Sequence, residues 1–235
     1  MFSPNSIEEQ LENGKRINEI FQKYADETDK YKFIQFVLAK QSEETREYAK
    51  SKGIKMIADR QVAFSDRDIW AYQSLFLKGW KLGCPPDYFS KNGQRWGNPI
   101  WNWEYLEKHD FGVMMERLVF ASKLYDITRI DHFRAFDTFW KIPSSCPTAI
   151  EGEWIEPPGY KFFETFNKEA GDIEIIAEDL GLLRPEVLVL RDYFSFPGMN
   201  VIEFNFEQTE FEKKYDKTPV NMVAYIGTHD NDPFM

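Results

Sequence analysis

Two cysteines and three histidines in 235 residues leave little material for metal or thiol chemistry. Cys84 and Cys146 are far apart and form no CxxC pair, and neither an HExxH motif nor a phosphate-cradling glycine loop is present. The acids fall singly on separate segments, so no metal and no cofactor is expected. The thiols read as free groups of a reducing compartment, with a Cys84–Cys146 disulfide as the open alternative. Basic charge is short as well. The 29 Lys and Arg against 39 Asp and Glu leave a net charge of −10, the wrong sign for gripping phosphates. Long apolar runs are missing too: nothing approaches the roughly 18–20 residues of a membrane span. The opening residues, from Met1 to Gln10, lack the basic and apolar regions of a signal peptide. A cytoplasmic protein with neither nucleic acid nor membrane as partner is expected, its oligomeric state unread.

What the chain does hold is enough apolar residue for a core, 43%, and a high aromatic share, 17%. A Phe-rich interior accounts for most of the rings. The seven Trp and eleven Tyr leave room for flat platforms on which the C–H faces of a sugar can stack.

Periodicity divides the chain at about Lys52. Ser6 to Glu9 reads as a capping box opening a helix to about Ala25, with Leu11, Ile17, Ile20, Phe21 and Tyr24 as a loose stripe. A second helix is expected from Asp29 to Ser51, burying Phe33, Phe36 and Val37 and ending at Gly53. Residues 1–52 therefore form a helical segment. Beyond it the pattern alternates. Strands are expected at 54–59, 127–131, 173–178, 199–206 and 222–226. Helices are expected at 66–77, 104–125, 160–170 and from Arg184, where Pro185 sits in the first turn. Residues 79–103 and 142–159, rich in Gly and Pro, read as long ordered loops, which are usually functional. Strand–helix alternation implies parallel βαβ units. The expected class is α/β, and residues 53–235 read as an incomplete (β/α)8 barrel, about strands 3 to 7. Five strands fall short of the roughly eight of a closed barrel, so a piece of a longer enzyme is expected.

Three of these strands end in acid. They are Ile127-Thr128-Arg129-Ile130-Asp131-His132, Ile175-Ile176-Ala177-Glu178-Asp179, and Ala224-Tyr225-Ile226-Gly227-Thr228-His229-Asp230. Parallel strands of a barrel deliver their C-terminal ends to one shared opening. Carboxylates gathered there suit glycosidic-bond chemistry: one attacks the sugar, one protonates the leaving oxygen, one steadies the charged transition state.

These segments, with Gly83-Cys84-Pro85-Pro86-Asp87-Tyr88-Phe89-Ser90 and Gly93-Gln94-Arg95-Trp96-Gly97-Asn98-Pro99, resemble the motifs of the 4-α-glucanotransferases, the amylomaltases or disproportionating enzymes. The resemblance runs in order from about Lys52 to Asp232. It implies a retaining transfer of α-1,4-glucan segments between maltooligosaccharides, and it makes Asp131 the nucleophile. Arg129, two residues earlier on the same strand face, can hold that carboxylate ionised. Glu178 is the expected acid/base, its apolar approach favouring the neutral form. The resemblance makes Asp230 the stabilising acid, and His132 and His229 are candidate sugar-hydroxyl ligands. In the family the loop holding Asp87, Tyr88, Gln94 and Trp96 arches over the cleft and contacts glucan. Asp59 is a further candidate for hydroxyl binding, although Ala58-Asp59-Arg60-Gln61 departs from the usual Gly-Asp-x-Pro, and Ala135 stands where Gly is usual.

Plainer readings stand beside these. They are a buried Asp–Arg pair, a helix-start glutamate, strand-end histidines satisfied by hydrogen bonds, and loop rings that merely pack. At the level of function the alternatives are an α-glucan hydrolase using the same acids and a non-catalytic remnant.

Overall fold

The structure, a computed structural model, describes residues 7–61, 68–69, 72–87, 90–170, 173–181, 183–205 and 220–229. Two compact units divide between Ile54 and Lys55. In the first, helix α1 spans Ile7–Lys23 and α2 spans Ala25–Ser51. The chain breaks once, at Tyr24, rather than across residues 26–28 as expected. Phe33 and Phe36 are exposed, and α2 buries no residue, contrary to the expected buried side. Two helices alone offer each other only a narrow seam.

The second unit is α/β. Strand β1 is Ile57–Arg60, β2 Trp80–Cys84 and β3 Gln94–Arg95. Helices α3, Trp103–Lys108, and α4, Gly112–Leu124, lead to β4, Ile127–Ile130. Next come β5, Phe139–Pro143, β6, Glu153–Ile155, α5, Gly159–Ala170, and β7, Glu174–Ala177. Helix α6, Pro185–Tyr193, precedes β8, Gly198–Val201, and β9 is Met222–Tyr225. Strands β1, β4 and β7 form a parallel sheet in that order, and β8 and β9 pair in parallel. The Ala177 N–H donates to the Pro197 carbonyl at 2.8 Å, joining β7 to the start of β8. All five expected parallel strands are therefore found, shifted by a few residues at their ends. The fourth is shorter than expected: after Val201 the chain tightens into a 3-10 turn, Ile202–Asn205.

The two long loops are not loops throughout. Residues 79–103 hold β2 and β3, and 142–159 hold β6. With β5 they make an antiparallel sheet in the order β3-β2-β5-β6. Its central pairing, Leu82 with Lys141, spans about sixty residues, and the Gly and Pro between the strands masked the strand signal. The helix expected at 104–125 is two helices, because Asp110 and Phe111 take left-handed backbone at φ 49° and 55°. That turn drives Phe111 into the core, fully buried and edge-on to Phe162 at 5.4 Å. Of the helix expected at 66–77, residues 66–67 and 70–71 lie outside the described residues, 68–69 are helical, and the end departs from a helix: Gln73–Leu75 is a 3-10 turn and Phe76 bridges to Trp101.

The alternation of strand faces organises the rest. Ile130, Ile175 and Ala177 join Phe133, Phe136, Phe162, Phe163, Phe166, Val187 and Leu190 in one apolar core. Arg129 and Ile176 lie on the opposite strand face, the face shared by Asp131 and Glu178. Phenylalanine dominates the core because rings fill the wide gap between sheet and helices and meet edge to face. Among the described residues no helix is long and apolar enough to cross a membrane.

Phe162 sits at the centre of this packing, with ring neighbours Trp103, Phe111, Phe136 and Phe163. Phe162→Ala is expected to lower unfolding stability by about 3–5 kcal/mol, read from the urea midpoint. A loss below about 1 kcal/mol would mean that the ring cluster is not the core.

Candidate active site

Register builds the site. In the parallel ladder Asp59 pairs with Arg129, and Arg129 with Ile176, so these three share one face. One step further along, the Asp131 N–H donates to the Arg60 carbonyl at 3.0 Å and the Glu178 N–H to the Ile130 carbonyl at 3.0 Å. The strand ends thus carry Asp131 and Glu178 side by side on the face of Arg129.

Arg129 is 8% exposed, and a buried guanidinium needs carboxylates. Its Nη1 donates to Asp59 Oδ1 at 2.5 Å and to Asp131 Oδ1 at 3.0 Å, and its Nε meets Met199 Sδ at 3.3 Å. Burial alone would lower the pKa of the guanidinium, but the bonds and charges of Asp59 and then Asp131 raise it above its ordinary value. The sequence offered Arg129 as the partner of Asp131. Asp59 as the second partner needed the register of two strands 70 residues apart.

Glu178 is held differently. Its Oε2 accepts the main-chain N–H of His132 at 2.8 Å, and its Oε1 that of Leu180 at 2.9 Å. Burial pushes its carboxyl above the usual carboxylate range, and the charge of Asp131 adds to this. The two N–H donors and Arg129 pull the other way without cancelling the burial. Asp131 and Glu178 therefore sit at adjacent strand ends in opposite settings: one ion-paired and open, the other desolvated and biased toward its neutral form. That pairing of environments separates an acid from a nucleophile.

The other expected residues fall around this pair or outside it. His132 sits at the bend after Asp131, with left-handed backbone at φ 49° and ψ 51°. Dense packing around its ring, and then the charge of Arg134, push the imidazole down to about 4, so the ring is neutral at pH 7. Trp96 meets it edge to face at 5.1 Å, and the Trp96 Nε1–H donates to Gln94 Oε1 at 3.0 Å. These contacts bring the 79–103 segment onto the strand end. Asp87 is exposed and accepts the Ser90 N–H at 2.7 Å, holding its own turn. His229 is exposed beside Asp59, Arg129, Met199 and Tyr225 around a cavity of about 310 Å³. Tyr88 and Asp230 lie outside the described residues. Cys84 and Cys146 are free thiols.

Asp179, next to Glu178, points to the other side of the strand. Only 2% of its side chain is exposed; it is ion-paired with Arg191 of α6 and accepts the Met199 N–H of β8 at 2.7 Å. A Cβ on Gly198 would collide with this pair. Asp179 thus ties β7, α6 and β8 together while its neighbour Glu178 faces Asp131 and the bend at His132.

Comparison with known proteins gives the chain its relatives. A sequence family described as 4-alpha-glucanotransferase matches residues 4–235. The chain is 42% identical over 234 residues to a 4-alpha-glucanotransferase of Clostridium butyricum, covering 92% of this chain and 47% of that protein. It is 39% identical over 229 residues to the Thermus thermophilus 4-alpha-glucanotransferase, covering 93% of this chain and 46% of that one. A solved structure of the Streptococcus agalactiae amylomaltase in complex with acarbose superposes with a TM-score of 0.87 at 36% identity, covering 93% of this chain and 46% of that one. The chain spans about half the length of the curated relatives it matches.

Asp179→Ala leaves a mostly buried Arg191 with the exposed Asp192 as its carboxylate partner and takes the acceptor from the Met199 N–H, and such a loss is expected to cost about 3–5 kcal/mol. Asp192→Ala removes the exposed partner of the same arginine and should cost about 0–1 kcal/mol. Equal effects in denaturant titrations of the two variants would contradict the clamp.

Proposed function

The chain belongs to the 4-alpha-glucanotransferase family, and from that membership we propose that it supplies the central catalytic part of an enzyme moving α-1,4-glucan segments onto new 4-hydroxyl acceptors. Residues 53–235 are read as a partial (β/α)8 barrel and residues 1–52 as an attached helical segment. Two features support the barrel reading. Five parallel strands follow one another in chain order, and the first and last of them line the same cavity of about 310 Å³.

In this reading Asp131 attacks the anomeric carbon while Glu178 gives its proton to the departing glycosidic oxygen. The glucosyl segment is then held on Asp131 as an ester, with Arg129 beside the carboxylate. Glu178, now ionised, takes the proton of the incoming 4-hydroxyl, and that oxygen displaces Asp131. Two displacements retain the α configuration. Glu178 must hold a proton in the first step and lack it in the second, which suits a carboxyl raised by burial but checked by two N–H donors. The observation that carries the reading is this unequal pair on adjacent strand ends.

The remaining candidates take binding roles. Asp230 is read as the third acid, and His229, His132 and Asp59 as groups facing sugar hydroxyls. Trp96 and Tyr88 are read as stacking platforms, with Gln94 and Asp87 beside them. Maltooligosaccharides and longer α-1,4-glucans are the proposed substrates, and a reducing, cytoplasmic setting fits the two free thiols.

With maltotriose as sole substrate, the full-length protein should yield glucose together with a ladder of longer maltooligosaccharides. Asp131→Asn should lower the rate by several powers of ten, each about 1.4 kcal/mol of barrier. Glucose and maltose without longer products would favour the hydrolase instead.

A further inference from the structure

We propose that His132 is a positioning residue: its left-handed backbone, braced by the Trp96 ring, aims the main-chain N–H that fixes Glu178, so the loop read as gripping glucan is joined mechanically to the acid/base. The inference rests on the reading of Glu178 as acid/base.

Each link is a contact in the structure. The loop is tied to itself where Trp96 Nε1–H meets Gln94 Oε1 at 3.0 Å. The Trp96 ring meets the His132 ring at 5.1 Å and 85°. The His132 N–H reaches Glu178 Oε2 at 2.8 Å. The next N–H, of Phe133, reaches the Glu178 carbonyl at 3.1 Å, so two successive amides grip the same residue at its side chain and its main chain. Phe133 is fully buried, which anchors the far side of the bend. On the near side the ring of His132 is the anchor. The left-handed region is uncommon for residues with a Cβ, although His and Asn enter it more readily than most. A residue there persists because its surroundings hold it.

The imidazole itself brings no charge to Glu178 at neutral pH, since packing keeps it neutral. What His132 delivers is an amide dipole. Among the described residues, the ionised groups acting on Glu178 are Asp131, which raises its pKa, and Arg129, which lowers it, both at β4. Asp179 next door is taken up by Arg191. An N–H donor favours the ionised carboxylate, so losing the His132 donor raises the pKa of Glu178. The alkaline limb of kcat/KM follows the acid that protonates the leaving oxygen, and it then moves to higher pH.

The test measures kcat/KM against pH for the full-length protein on maltotriose, with four variants. His132→Gly, His132→Asn and His132→Ala all remove the imidazole, but only Gly and Asn readily keep a left-handed backbone. His132→Ala is expected to move the alkaline limb upward by about half a unit or more and to lower kcat about tenfold. His132→Gly and His132→Asn, which lose the brace but keep the backbone preference, should move it clearly less than His132→Ala does. Trp96→Leu, which removes the brace, should move it in the direction of His132→Ala. A limb that moves equally in all three His132 variants, or in none, overturns the proposal, as does Trp96→Leu changing KM alone. A wild-type protein that makes no ladder of longer products would instead remove the transferase reading. The limb measured on its hydrolysis of the same sugar would still decide the role of His132.

Discussion

A buried arginine organises this molecule. Arg129 lies on the one strand face not filled with phenylalanine, and a guanidinium taken out of water must meet carboxylates there. Asp59 comes from the strand beside it and Asp131 from two residues along its own strand, so the ion cluster exists only when β1 and β4 pair in the observed register. A slip of one residue would turn Arg129 into the apolar core and Ile130 out of it. Fold specificity and site geometry therefore rest on the same contact.

The same register explains how two carboxyls a strand apart acquire different characters. Asp131 is the end of the ion cluster and stays about one-third exposed. Glu178 closes the neighbouring strand against the bend at His132, where water is scarce and two amides replace it. The Asp179–Arg191 pair fixes the strand behind it to α6 and β8. Alternation beyond the end of β7 sends Glu178 and Asp179 to opposite sides, one toward Asp131 and one toward Arg191.

Much of this was legible in the chain. Apolar runs ending in Asp131 and Glu178 announced parallel strands, and the spacing of Arg129 to Asp131 announced their shared face. Pro185 marked the start of α6, where it is found. Three things were not legible, each for a physical reason. The antiparallel sheet depends on partners distant in sequence, as between Trp80–Cys84 and Phe139–Pro143, so its short strands looked like Gly- and Pro-rich loop. The break at Asp110 and Phe111 interrupts a continuous helical pattern because burying one ring outweighs continuing the helix. The main-chain bonds from His132 and Leu180 to Glu178 follow from backbone conformation, which no side-chain pattern encodes. Asp59 shows the middle case: its type and place were noticed, while its partner needed the register.

In the proposed reaction Asp131 carries the sugar and Glu178 moves the proton. An activated glycosyl fluoride needs little acid help in the first step, so Glu178→Gln in the full-length protein should form the ester and stall before releasing it. Mass spectrometry of the digested protein should then find the added sugar on the peptide containing Asp131. Sugar located on Asp179 or Asp230, or no adduct while turnover continues, would contradict the account.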